Sequence, residues 1–200
     1  MRAILSILLV SALAGTPARA AEPACPRPEV HIHKGKGELV LTCAGQVRLR
    51  TPVTFGGDPV GHKLRSGDHR TPEGRYSACS KHRSKRFYKF IAVSYPGPQD
   101  VASGLSRGLI SRGQQAAILA AHRRRRCPPF GTRLGGAIGI HGYKHALGVK
   151  LWNRVSRLGK IYRYMGLSDG CIMVDNDQMD RLWELVRVGT PIYIHGHGAE

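Results

Sequence analysis

Short runs in which apolar and polar residues alternate fill most of the chain, and a helical period shows in only two places. Val30 to His33 and Leu39 to Thr42 flank the Gly35-Lys36-Gly37 turn and predict two strands. A third runs from Val47 to about Val53, where Val47, Leu49 and Thr51 alternate with Arg48 and Arg50 and leave one face wet. Gly56-Gly57-Asp58-Pro59 and Gly67-Asp68-His69-Arg70 read as loops. Thr71-Pro72-Glu73-Gly74 turns into a strand over Arg75 to Ala78, and Phe87 to Ser94 predicts another, ended by Tyr95-Pro96-Gly97-Pro98. Leu134 to Ile140 reads as a small buried strand that delivers His141, and Ile192 to Ile194 follows the Gly189-Thr190-Pro191 turn.

The first helical stretch is Asp100 to Arg126, one or two helices with Ser111 as an N-cap and Cys127-Pro128-Pro129 as the stop. The second is capped by Asn176, with Met179, Leu182, Trp183 and Val186 on one face and Asp177 and Asp180 in its first turn. Tyr143 to Met165 form a mixed basic and aromatic insertion, partly helical and a candidate lid. The tail His195-Gly196-His197-Gly198 is expected to be disordered, and His31 and His33 to lie on the surface. Many strands and few helices predict a mostly β, β-rich α+β fold with a closed or sandwiched sheet. No repeat, long linker or second domain is visible.

Met1-Arg2, the apolar run Ala3 to Ala14 and Ala18-Arg19-Ala20 have the form of a secretory signal peptide, residues 1–20, cleaved near Ala20. The apolar run is too short to span a bilayer, which needs about 20 residues, and Cys25 lacks an apolar lipobox. Residues 21–200 then form one domain, periplasmic or secreted. The net charge is +18, or +16 without Arg2 and Arg19. An exported chain so basic meets anionic cell-envelope polymers first, through Lys81 to Arg86 and His122 to Arg126, or simply keeps those charges solvated. Aromatic residues are too few for a base-stacking surface, so nucleic acid is not an expected partner.

The five cysteines suggest two pairs and one free thiol. Cys171 follows Gly170 in a turn and is the one left free. The other four allow three pairings, of which Cys25–Cys43 would staple the first hairpin and Cys79–Cys127 would tie a loop to a helix end. No C-x-x-C or H-x-x-x-H spacing points to a metal. Cys171 suits a nucleophile, because a glycine turn exposes the sulfur and aims backbone N–H groups at a developing oxyanion; a buried structural cysteine is the bland alternative. His141, ending an apolar segment beside Gly142, is the first choice of base, with His145 a competitor and His69 a residue that could line the cleft. Asp169 could orient a histidine but fits a turn better, and Ser168 could hydrogen-bond that loop. Arg154, Arg157, Lys160 and Arg163 could bind an acidic substrate's carboxylate, and Tyr143 stands beside them in the insertion.

Taken together, these residues resemble the L,D-transpeptidase catalytic domain, the YkuD-type fold. Thr71-Pro72-Glu73-Gly74-Arg75-Tyr76, Leu134-Gly135-Gly136 leading to Ile138-Gly139-Ile140-His141-Gly142, and Ser168-x-Gly170-Cys171-Ile172 carry the likeness. Asn176, Met179, Trp183 and Gly189-Thr190-Pro191 continue it in order. The resemblance implies a β-sandwich or barrel-like catalytic domain with a few short helices. Cys171 is then the nucleophile, His141 the general base and acid, and the Gly142 carbonyl the group that orients it. No cofactor is implied. Peptidoglycan stem peptides are the implied substrate: the thiolate attacks the third residue's carbonyl, D-alanine leaves, and an amine resolves the thioester. That amine belongs to another stem or to a lysine-bearing envelope protein, and water in its place gives hydrolysis. Such enzymes are carbapenem targets. Three departures stand out: Asp169 replaces the usual histidine, Met173 replaces the usual arginine, and the gap from His141 to Cys171 is long. An exported transpeptidase, a hydrolase with the same site, and a non-catalytic cationic envelope binder are the readings to separate.

Overall fold

The computed structural model describes residues 25–85, 87–143 and 168–198. Among them are eight strands and three helices. The strands are β1 (Pro28–His33), β2 (Glu38–Cys43), β3 (Gln46–Pro52), β4 (Gly74–Arg83), β5 (Lys89–Val93), β6 (Gly139–His141), β7 (Ile172–Met173) and β8 (Pro191–His195). The helices are α1 (Pro98–Ser106), α2 (Arg112–Arg123) and α3 (Asn176–Leu185). The sheet runs β3-β2-β1-β8-β4-β5-β6-β7, mostly antiparallel, with β1–β8 and β6–β7 parallel. Its two edges meet just beyond β3. Thr54 and Met173 exchange both backbone hydrogen bonds, Thr54 N–H to Met173 O at 3.0 Å and Met173 N–H to Thr54 O at 2.9 Å. The sheet thereby curls back until its two ends touch at this bridge.

β4 joins the two halves. Its first residues pair with β8 and its later ones with β5, across a register shift between Ala78 and Ser80 that bends the strand. The main core lies inside the curl, where Ile32, Leu41, Ile91, Ile140, Ile172 and Ile192 are fully buried. The apolar face of α3, Met179 and Leu182, covers it. A smaller cluster, Val101, Leu109, Ile110, Ile118 and Leu134, packs α1 and α2 together. Ser111 caps α2 in a reciprocal capping box with Gln114. Cys25 is bonded to Cys43 and Cys79 to Cys127.

Several local expectations give way. Only Gly139–His141 of the apolar run Leu134 to Ile140 is strand, because Gly135 (φ +83°) and Ala137 (φ +54°) are left-handed and interrupt the extended chain. β4 runs five residues further than expected, through basic residues whose composition hides a strand, so Cys79 lies in a strand and not in a loop. The N-cap of α3 is Asp175, one residue before Asn176, whose Oδ1 instead accepts the Tyr143 N–H at 2.8 Å. Asp180 leaves the helix dipole to others and pairs with Lys89 at 2.6 Å. His195 is ordered in β8, and its ring stacks between those of His31 and His33, which are half-buried. The insertion beyond Tyr143, with its candidate lid, lies outside the described residues, as does the leader.

Candidate active site

The register of β6 against β7 relates the two candidate catalytic side chains. Ile140 pairs with Ile172 and His141 with Met173 in a parallel ladder. Cys171 precedes Met173 by two, so it shares a face of the sheet with His141, one strand across. His141 is 2% exposed and its Nδ1 lies 2.9 Å from the Gly142 carbonyl oxygen. That contact assigns the proton to Nδ1 and leaves Nε2 as the basic nitrogen. The Phe87 ring stacks on the imidazole at 3.9 Å between centroids and holds its plane. Cys171 is the one cysteine outside the two disulfides and is half-exposed; its thiol donates to the Ala137 carbonyl at 3.5 Å. The left-handed turn at Ala137 that shortened the predicted strand is what points this carbonyl at the sulfur.

The loop before Cys171 is fixed by buried groups from two other loops. Gly170 (φ +124°) has no room for a side chain, since a Cβ would collide with the Arg70 carbonyl oxygen. The Thr71 hydroxyl, fully buried, donates to the Gly170 carbonyl at 3.0 Å. Lys63, 3% exposed, donates to the Asp169 carbonyl at 3.3 Å and pairs with Asp68 at 2.7 Å. Burial by itself would raise the Asp68 carboxyl. The Lys63 ammonium and the N–H groups of Arg65, Leu64 and Arg70 outweigh it and hold the group at about 2. The Ser168 hydroxyl closes the loop on itself by donating to the Cys171 carbonyl at 2.9 Å.

The Asp169 side chain engages another histidine, His69. Its carboxylate meets His69 Nδ1 at 3.1 Å, in a solvent-exposed pair at the mouth of the site. A cleft of about 480 Å³ is lined by Cys171 and walled by Phe87, Phe90, Ala137, His82, Cys127 and Phe130. Tyr143 is half-buried and tied to α3 through Asn176, and it is not among the cleft-lining residues. His145, Arg154, Arg157, Lys160 and Arg163 lie outside the described residues. Among the described residues no group of three His, Cys, Asp or Glu side chains could hold a metal ion.

The family model of the L,D-transpeptidase catalytic domain (YkuD) matches residues 27–194. The chain belongs to this family. Two solved structures, both of Pgp2, agree in fold. The K307A mutant of the helical cell shape determining protein Pgp2 from Campylobacter jejuni superimposes with a TM-score of 0.53 at 18% identity, over 85% of this chain and 47% of that one. Unmutated Pgp2 gives 0.51 at 17% identity, over 88% and 52%. An L,D-transpeptidase from Mycobacterium smegmatis gives 0.46 at 14%, over 85% and 59%. The chain thus spans about half the length of these structures. No curated protein matches it significantly in sequence.

Within this L,D-transpeptidase domain, sequence reasoning had singled out Cys171, His141 and Gly142 and overlooked Lys63, Thr71, Ala137 and Phe87 as supports. Thr71 carried a signal, since it opens the Thr71-Pro72-Glu73-Gly74 block. Lys63 carried none: a lysine in a polar loop looks solvated until its burial is known.

Proposed function

We propose that the protein is an exported L,D-transpeptidase that acts on peptidoglycan stem peptides through a thioester on Cys171. The observation that carries this is the placement of Cys171 and His141 on one face of the β6–β7 ladder, with Nδ1 directed to the Gly142 carbonyl. His141 Nε2 takes the thiol proton, and the sulfur attacks the carbonyl of the stem's third residue. The oxyanion forms against backbone N–H groups of the Gly170–Cys171 turn. When the tetrahedral intermediate collapses, the C–N bond breaks and the imidazolium returns the proton to the departing D-alanine amine. An acceptor amine then attacks the thioester, a new amide forms, and Cys171 is released as a thiol. The acceptor is another stem or an envelope-protein lysine. Water as acceptor makes the same site a hydrolase.

Two disulfides and an apparent leader support export. Intact-mass spectrometry after incubation with a carbapenem tests the proposal. One covalent adduct, absent in Cys171→Ala, is the expected result. An adduct retained by the folded Cys171→Ala protein, or none on the wild type, would remove the acyl-enzyme. Mass analysis of digested wall material separates transfer from hydrolysis.

A further inference from the structure

The cleft in front of Cys171 reaches Cys127, and the residues immediately before Cys127 are four arginines, Arg123 to Arg126. The Cys79–Cys127 disulfide ties this segment to β4, whose His82 lines the same cleft. The four arginines are exposed, and none is paired with a carboxylate among the described residues. From Gly74 to Gly136 the sole carboxylate in the sequence is Asp100, which is buried and bonded to His62 at 2.8 Å. The other basic segment is differently used: Lys81 donates to the Trp183 and Val186 carbonyls at the end of α3.

A helix C-terminus tolerates cations well, so charge there is not by itself a site. The backbone adds an independent observation. α2 ends in a Schellman-type turn, Arg126 N–H to Ala121 O and Arg125 N–H to His122 O, both at 2.9 Å. Its left-handed position is Arg125, at φ +54°, where glycine would be unstrained. A charged side chain thus holds the left-handed position that glycine would take without strain, two residues before the cleft-lining Cys127.

We infer that Arg123 to Arg126 form a docking surface for a carboxylate-rich strand of the wall polymer, adjoining the stem that enters the cleft. The choice of polymer rests on the enzyme reading proposed above. Unpaired guanidinium groups, free of competing protein carboxylates, are suited to bidentate contact with successive stem carboxylates. Phe130, 66% accessible and four residues beyond Arg126, adds an exposed ring to the wall of the cleft.

Co-sedimentation with isolated peptidoglycan tests the surface, using the mature protein and a variant carrying Arg123→Gln, Arg124→Gln, Arg125→Gln and Arg126→Gln, with melting curves as the fold control. Wild-type binding is expected to fall by about tenfold or more in the variant, on amidation of the stem carboxylates, and on raising salt well above 0.1 M. Arg125→Gly is a second probe: it should melt higher, by relief of the left-handed strain, yet bind more weakly. Undiminished binding by the fourfold variant or by amidated peptidoglycan would overturn the inference. So would equally tight binding to phosphatidylglycerol vesicles or duplex DNA at the same salt. Carbapenem labelling of the wild type is read alongside. Carboxylate-dependent binding without an adduct would sink the enzyme reading alone, and an adduct with carboxylate-independent binding would sink this surface alone.

Discussion

Thr71 and Lys63 hold the loop before Cys171 through the Gly170 and Asp169 carbonyls. The Thr71 hydroxyl is buried against the Gly170 carbonyl, so Thr71→Val keeps the shape and deletes one hydrogen bond. Loss of that tether lets the turn drift, and small displacements of a reacting group are costly. Carbapenem acylation followed by mass spectrometry should slow by about tenfold in Thr71→Val and recover in Thr71→Ser; an unchanged rate in the folded Val variant would relegate Thr71 to packing. Asp68 belongs to the same lock. Its folded carboxyl, at about 2, lies below the ordinary 3.8. The stabilisation it supplies is therefore complete above about pH 4 and lost as pH falls through about 2. Asp68→Asn should flatten the melting temperature over that window. At neutral pH it should cost about 3–5 kcal/mol, because the Lys63 ammonium stays buried without its counter-ion. Cys171 and His141 stood out in the sequence because each sits beside glycine in a block that resembles the family's, and the fold brings them to neighbouring strands. Their supports did not stand out, because a threonine or lysine shows its partner only once the fold has brought together residues as far apart as Lys63 and Asp169.

At the scale of elements, the parallel seam between β1 and β8 carries a row of imidazoles. His31 Nδ1 and His195 Nε2 are 3.2 Å apart, and His33 stacks on His195 at 4.6 Å. Burial lowers the pKa of His33, with Lys36 and His31 adding repulsion. Burial also lowers that of His195, helped by His33 and His31. A histidine whose folded pKa is depressed binds protons more readily unfolded, so stability is full above about 6.5 and declines as pH falls below it. Thermal melts from pH 7.5 to 5 should show that decline, and His195→Gln should remove part of it; parallel curves for the two proteins would mean that the seam does not titrate with folding. Strand existence was readable here from alternation. The sheet order was not, since β8, from the far end of the chain, inserts between β1 and β4. Nothing local in Ile192 to Ile194 encodes that parallel neighbour. β4 was cut short for a related reason: Lys81, His82 and Arg83 show no alternation of apolar and polar residues, and their pairing with β5 is visible only in the fold.

For the whole molecule, the curled sheet and the α1–α2 cluster are two packed units with few apolar side chains in common. The Cys79–Cys127 bond fastens the second to the first across 48 residues of sequence. In a chain-entropy account a loop of that size is worth about 4 kcal/mol, with measured values more often about 2–4. Cys79→Ala with Cys127→Ala should therefore lower the melting temperature by roughly 5–15 °C in a chain of this length. The loss should also be uneven. The main core buries apolar side chains of all eight strands and α3, and Cys25–Cys43 fastens its first hairpin independently. The α1–α2 cluster has five buried residues and loses its only covalent tie to β4. Amide exchange should therefore quicken first in α1 and α2, while β1, β2 and β8 stay protected to the point of global unfolding. Uniform quickening across both units would show instead that they unfold as one, and that the interface between them outweighs the disulfide.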